Sequence, residues 1–401
     1  MAETTAPSTG PDERLVRLGL LSRLLVRPDI GAFLGAIAVF VAFSYFARGV
    51  NWIGDPGIAA GWTDQAAQYG IVAVPVALLM IGGEFDLSAG VMIGSSGLLL
   101  GYLATHAHMN IWPAIVLVLL FGLVIGFLNG ITVVKTRLPS FIVTLATFFV
   151  LQGINAAGTL KLTGQTAIQD IDTAGGFASA RHIFASDLTS YDYKVKVLWW
   201  IGLSAVGAWL LAKSRFGNWI YGAGGDPAAA RNVGVPVART KIALFMMTSG
   251  VAALMGIIEA LELRSMQAKE GIGLEFIFII CAVVGGCLLT GGFGSVIGTF
   301  FVLQGVNAAG TLKLTGTTAI QDIDTAHGFA SARHLFASDL TSYAYKVKVL
   351  WWIGITIVGA WLLSRTRFGN WIYGAGGDAG ASRNVGVPVA RTKIGIGRAH
   401  V

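Results

Sequence analysis

The sequence predicts an all-α, polytopic integral membrane protein of about ten transmembrane helices. Three observations carry that expectation. Apolar residues make up 54% of the 401-residue chain and charged residues only 12%, whereas soluble domains carry about a quarter charged residues. The mean hydropathy is +0.70. Apolar runs recur along the chain, several of them reaching the roughly 20 residues of helix that cross a bilayer core.

Residues 1–29 are polar, with Arg14, Arg17, Arg23 and Arg27 ahead of the first run at 30–46. Arginines beside a first span favour a cytoplasmic N-terminus, and no short apolar core with a small-residue cleavage site marks a removable signal. Further runs lie at 71–81, 87–103, 111–134, 141–157, 197–212, 242–258, 274–289, 296–309 and 349–363. Counting from inside, the basic segments 135–137 and 213–241 and the tail from Arg365 all fall in the cytoplasm. The long polar loops 158–194 and 310–346 fall outside. The net charge of +7 is then positive-inside bias, and no nucleic-acid partner is expected.

Cys281 and Cys287 are six apart in one apolar segment, on different faces of a helix, and serve as packing residues. The chain has no G-x-x-x-x-G-K-[ST] loop, no Ser/His/Asp cluster and no H-E-x-x-H pair. No catalytic residue, metal site or cofactor is expected, and the chain is not read as an enzyme. Uphill transport then needs an ion gradient or a separate ATPase.

Four segments carry the functional signal. Residues 82–90 break an apolar run with Gly82 and Gly83, place Glu84 and Asp86 at membrane depth, and offer Asp86 or Ser88 as a cap. Carboxylates at that depth usually line a cavity or pathway. Next, Asn129-Gly130 precedes the basic turn 135–137, Pro139 opens a helix, and Thr144 follows. Asn129 and Thr144 can bond between helices or face a solute. In the third segment, Gly222, Gly224 and Gly225 close one helix, Asp226-Pro227 caps another, and a short helix through Ala228, Ala229, Ala230 and Arg231 stops near Gly234. A compact basic element of this kind reads as a docking site for a soluble partner. The fourth, 285–299, is glycine-rich and lets helices approach closely or break.

In this order the segments resemble the permease subunit of bacterial ABC importers for simple sugars, the ribose, xylose and galactose group. The family's G-G-x-D-L-S-x-G is matched at 82–90 with one inserted residue, and its N-G and L-P-x-F-I-x-T-L at 129–130 and 138–145. Its coupling loop is matched at 216–235 with Asp226 in place of Asn, and its late glycine motif at 285–299, preceded by Glu275. Phe276-Ile277-Phe278 departs from a more polar family stretch. The resemblance covers roughly residues 30–299 and implies a multi-pass protein of the bacterial plasma (inner) membrane. It further implies a second permease subunit forming a homodimer, a cytoplasmic ATP-binding subunit, an extracytoplasmic sugar-binding protein and surrounding lipid. On this reading Glu84, Asp86, Asn129 and Thr144 line the pathway. Gly224, Gly225, Asp226, Ala229, Ala230, Arg231 and Gly234 form the loop the ATPase pushes. The competing expectation is an ion-coupled secondary transporter using Glu84 and Asp86; a membrane scaffold leaves those carboxylates unexplained.

Residues 300–394 repeat 148–242 without gaps, with 14 differences in 95 positions. Inverted structural repeats in transporters are weak in sequence; this one is strong and runs in the same orientation. The join falls where the family's last two spans belong. Residues 395–401 include Ile-Gly-Arg-Ala-His-Val, whose back-translation resembles a sequencing-library adapter. The expectation is a chimera: a permease to about residue 299, part of a relative, then an adapter-derived tail, with tandem duplication as the alternative. Amplifying the junction from source DNA decides between them.

Overall fold

A computed structural model describes residues 56–189 and 193–300, with Ile37 and Val41. The expected spans at 30–46 and 349–363, most of 296–309, nearly all of the repeat and the tail 395–401 lie outside the described residues. The chain divides into compact units Met1–Thr315 and Gly316–Val401, and the description below concerns the first.

The helices are α1 (Pro56–Ile81), α2 (Ala89–Thr105), α3 (Ile111–Thr136), α4 (Ser140–Gly153), α5 (Thr159–Thr163), α6 (Phe177–Phe184), α7 (Lys196–Lys213), α8 (Arg215–Gly225), α9 (Pro227–Asn232), α10 (Val237–Leu263) and α11 (Leu274–Val284). Among the described residues, four stretches are long and apolar enough to cross a membrane: Ala59–Ile81, Ile111–Thr136, Ser140–Thr163 and Val237–Leu263. A fifth results if α7 and α8, bent by 77° at their junction, count as one broken span. α2 and α11 are shorter, at 17 and 11 residues.

Several boundaries differ from the sequence expectation, α10 running five residues further at each end than 242–258, and two differences have a visible cause. α1 begins well before residue 71, because its polar first half is satisfied by distant partners. Asp64 pairs with Lys196 at 2.9 Å and Gln68 donates to Glu259 at 3.2 Å, while Thr63 is satisfied within the helix by the Ala59 carbonyl. At the other end of the chain, α11 stops at Val284 rather than 289. The residues after it turn repeatedly through Gly286, Gly291 and Gly292, at φ 98, 80 and 75, angles that cost glycine nothing.

α10 forms the centre, packed against α3, α2 and α1, while α1 also packs against α7 and α11. Gly122, Gly126 and Gly130 line one stripe of α3 and let its backbone lie against α10. A Cβ at Gly126 would sit 2.5 Å from the Phe245 carbonyl oxygen, and one at Gly130 would sit 2.8 Å from Ile242 Cα. Small-residue stripes of this spacing are how apolar helices associate when lipid offers no hydrophobic drive. The opposite face of α3 exposes Val116, Leu117, Leu120, Val124 and Phe127, a lipid-facing stripe. Away from the bundle, β1 (Ala167–Ile168) pairs antiparallel with β2 (Met266–Gln267). α6 buries Phe177, Ala180 and Phe184 beside them, with Phe184 stacked on Trp199.

Candidate functional site

The break between α1 and α2 is held by hydroxyls on α4. Phe85 N–H donates to Ser140 Oγ and Leu87 N–H to Thr144 Oγ1, both at 3.0 Å. The fit is geometric: two residues of extended chain advance about 6.6 Å, and four residues of helix advance about 6 Å. Residues 85 and 87 therefore meet residues 140 and 144 as a strand meets its neighbour.

Asp86, 1% exposed, sits between these contacts. Its Oδ1 accepts from the Ser88 N–H at 2.8 Å and the Ser88 hydroxyl at 2.6 Å, and its Oδ2 faces Ser249 Oγ at 3.5 Å. Neither Asp86 nor Ser88 caps α2 in the expected manner; Asp86 fixes Ser88 one residue ahead of it. From Ser88 a chain of polar groups leads outward. Asn129 Nδ2 donates to Ser88 Oγ at 3.0 Å, and Thr147 donates to Asn129 Oδ1 at 2.6 Å.

Asn129 and Thr147 open onto a cavity of about 820 Å³ between α2, α3, α4 and α5. Leu, Ile and Val side chains dominate its wall, interrupted by Ser95, Asn129, Thr132, Thr147, Asn155, Thr159 and Thr163, with no charged residue. Asn155, 4% exposed, lies in a π-helical turn, Ile154–Gly158, that joins α4 to α5. Its Nδ2 has no hydrogen-bond partner among the described residues. Short π-helical turns inside α-helices are frequent at functional sites. The sequence reading missed Asn155, because one Asn in an Ile-Asn-Ala-Ala-Gly run carries no helix-breaking signal.

Of the four pathway candidates, the structure therefore brings Asp86, Asn129 and Thr144 into one neighbourhood, and only Asn129 lines this cavity. The Thr144 hydroxyl is occupied by Leu87 N–H and the Ser140 carbonyl. Glu84 is drawn elsewhere. It pairs with Lys241 on α10 and lines a separate, charged cavity. The two carboxylates thus have different partners and do not form a pair.

The third segment, around Asp226-Pro227, forms as its turn chemistry predicts. Asp226 Oδ1 accepts from the Ala228 and Ala229 N–H groups, both at 2.9 Å, and Pro227 occupies the first turn of α9. Arg231 lies in the last turn of the short helix, Gly234 turns at φ 86, and Ala230 packs against Ala223 and Val237. Asp226→Ala is expected to cost about 0.5–2 kcal/mol of local stability. Faster hydrogen exchange at Ala228 and Ala229, with unchanged exchange in α3, is the signature to look for.

Three glycine pairs from three of the segments meet at one point. Gly292 N–H donates to the Ile81 carbonyl at 2.8 Å, satisfying the last turn of α1. A Cβ on Gly224 would lie 1.8 Å from that same oxygen and 2.6 Å from Gly292 N. A Cβ on Gly291 would lie 2.6 Å from Gly83 Cα. The end of α8, immediately before the capped helix, is thereby wedged backbone to backbone against the α1–α2 break.

A bundle of apolar helices, one interrupted beside a neutral-walled cavity and locked to a capped basic loop, defines a polytopic membrane permease component. The chain belongs to the family described as branched-chain amino acid transport system / permease component, whose profile matches residues 58–302 and again 288–396. Among its relatives, the inner membrane ABC transporter permease protein YjfF of Escherichia coli is 30% identical over 266 residues, 63% of this chain and 76% of the relative. The ribose import permease protein RbsC of Escherichia coli is 30% identical over 257 residues, 61% of this chain and 76% of the relative. The autoinducer 2 import system permease protein LsrC of Escherichia coli is 33% identical over 230 residues, 57% of this chain and 63% of the relative. No solved structure matches the chain.

Proposed function

We propose that this chain is the transmembrane permease subunit of an ABC importer for a neutral monosaccharide. It works in the inner membrane with a cytoplasmic N-terminus and draws on ATP hydrolysed by a separate subunit. The observation that carries the solute class is the wall of the larger cavity, whose polar groups are hydroxyls and amides without a single charge. Sugar hydroxyls need donors and acceptors and no counter-charge. A zwitterionic amino acid would bring an ammonium and a carboxylate to a wall that compensates neither, at a cost of several kcal/mol. One relative is named for ribose import, which agrees with a sugar as the solute.

On this reading Asn129 and Asn155 contact solute, while Asp86 and Thr144 shape the break beside it. α9, with Val233 81% exposed after its last turn, is the element that docks the ATP-binding subunit. The residues at Gly224, Gly225, Asp226, Ala229, Ala230, Arg231 and Gly234 carry its motion inward through the glycine contact. An extracytoplasmic binding protein and a second copy of the permease complete the importer. The separate partners of Glu84 and Asp86 argue against an ion-coupled pair.

We assign one working coupling loop. The second copy replaces Pro227, Ala228 and Ala230 by Ala379, Gly380 and Ser382. It thereby loses the favoured first-turn proline and gains a glycine that weakens a helix by about 1 kcal/mol.

The test is uptake of labelled ribose, xylose and galactose into proteoliposomes holding the permease, its ATP-binding subunit and its binding protein. One of these sugars is expected to accumulate only with ATP, and leucine is expected not to compete. Asn155→Leu removes one hydrogen-bonding group from the wall and is expected to raise the half-saturating sugar concentration about tenfold. Accumulation driven by an ion gradient without the ATP-binding subunit would sink the reading.

A further inference from the structure

The smaller cavity, about 550 Å³, lies between the α1–α2 break, the end of α3, α9 and the start of α10. Four charged side chains line it: Glu84, Arg137, Arg231 and Lys241. Lys241 pairs with Glu84. Arg137 and Arg231 find no carboxylate among the described residues, so the cavity carries two uncompensated guanidiniums. Arg137 is fixed in place by its backbone, which closes α3 in the left-handed conformation at φ 58 with its N–H on the Val133 carbonyl. Arg231 lies in the last turn of α9.

The rest of the wall is aliphatic, and one rim residue places the cavity at a membrane face. Leu138 lines the cavity and is exposed. Its neighbour Phe141, in the first turn of α4, is an exposed apolar residue of the lipid-facing surface and lines neither cavity. The site therefore offers two planar cations beside an apolar surface.

We propose that this cavity binds the phosphate headgroup of an anionic phospholipid of the cytoplasmic leaflet, with phosphatidylglycerol as the representative chemistry. The leaflet rests on the orientation adopted under the proposed function; the binding chemistry does not. Arginine forks match phosphate oxygens bidentately, and basic pockets between transmembrane helices on the cytoplasmic side suit acidic headgroups. The acyl chains would run along Phe141 and Phe149, exposed residues of α4 that line neither cavity. An acidic side chain of the ATP-binding subunit meets the charge requirement equally well, but it has no use for that apolar rim. Because Arg137 belongs to α3 and Arg231 to the docking helix, one bound phosphate would tie the docking helix to the bundle.

The test uses the full chain in neutral detergent, with native mass spectrometry counting retained lipid. Phosphatidylglycerol is offered against phosphatidylcholine with the same acyl chains. The wild type is expected to retain one phosphatidylglycerol with a roughly thirtyfold preference, reflecting two cations near the membrane surface. Arg137→Gln with Arg231→Gln is expected to abolish the preference, and Arg137→Lys with Arg231→Lys to keep part of it. Lys135→Gln, which removes a cation outside the cavity, is expected to leave it unchanged.

Equal loss in Lys135→Gln overturns the proposal in favour of general surface attraction. So does an unchanged preference in the Gln pair. Displacement of the lipid by millimolar inorganic phosphate would make the site one for a soluble anion, and displacement by the ATP-binding subunit would assign it to a protein carboxylate; either result overturns the lipid. Binding in detergent needs no sugar uptake, so failure here is separable from failure of the importer reading.

Discussion

Lys196→Met is expected to destabilise the helical unit by about 3–5 kcal/mol. Lys196 opens α7, is 3% exposed, and reaches Asp64 on α1 at 2.9 Å and Glu262 on α10 at 2.8 Å. One ammonium thus clasps three helices. Removing it leaves two carboxylates in a largely buried place, and the penalty is mostly theirs. No spare donor is at hand, since Asp64 Oδ1 already lacks a hydrogen-bond partner among the described residues.

The midpoint of thermal unfolding in detergent should fall sharply in Lys196→Met. It should recover largely in a triple variant that also carries Asp64→Asn and Glu262→Gln, because neutral groups no longer need the cation. A single variant as stable as the wild type would show that the clasp contributes nothing. Recovery in the triple variant separates loss of charge balance from loss of lysine packing.

Gly224→Ala is expected to abolish ATP-driven uptake while leaving the chain in the membrane. The added methyl would stand 1.8 Å from the Ile81 carbonyl oxygen and 2.6 Å from Gly292 N. Both are backbone atoms of hydrogen-bonded turns, so no rotamer change relieves the clash. Overpacking of this kind costs about 1–3 kcal/mol, and the cheapest relief is to separate α8 from the end of α1. That separation uncouples the docking helix from the break it is proposed to move.

Gly225→Ala is the control, because a Cβ there meets only Gly292 Cα at 3.7 Å, ordinary contact. Uptake should survive it. If the two alanine variants transport alike, the glycine contact does not transmit motion.

Much of this protein was legible in order along the chain. Seven apolar runs within the described residues became helices, and Asp226-Pro227 became a cap with proline in the first turn. Both follow from local chemistry: apolar length selects helix, and Asp-Pro selects a start. Where the reading missed, distant partners decided. α1 extends through Asp64 and Gln68 because Lys196 and Glu259 lie against it. Asn155 gave no local sign because its importance comes from facing a cavity enclosed by α2, α3, α4 and α5.

The sequence by itself determined the class of protein, its apolar helices, its breaks at paired glycines and its family. These depend on composition and on spacing within a few residues. Only the tertiary structure decided what each polar group inside the apolar bundle does. Glu84 and Asp86 are two residues apart, yet one answers to Lys241 and the other to Ser88 and Ser249. In an apolar medium a polar group goes to whichever partner folding brings within about 3 Å, and separation along the chain carries no record of that distance.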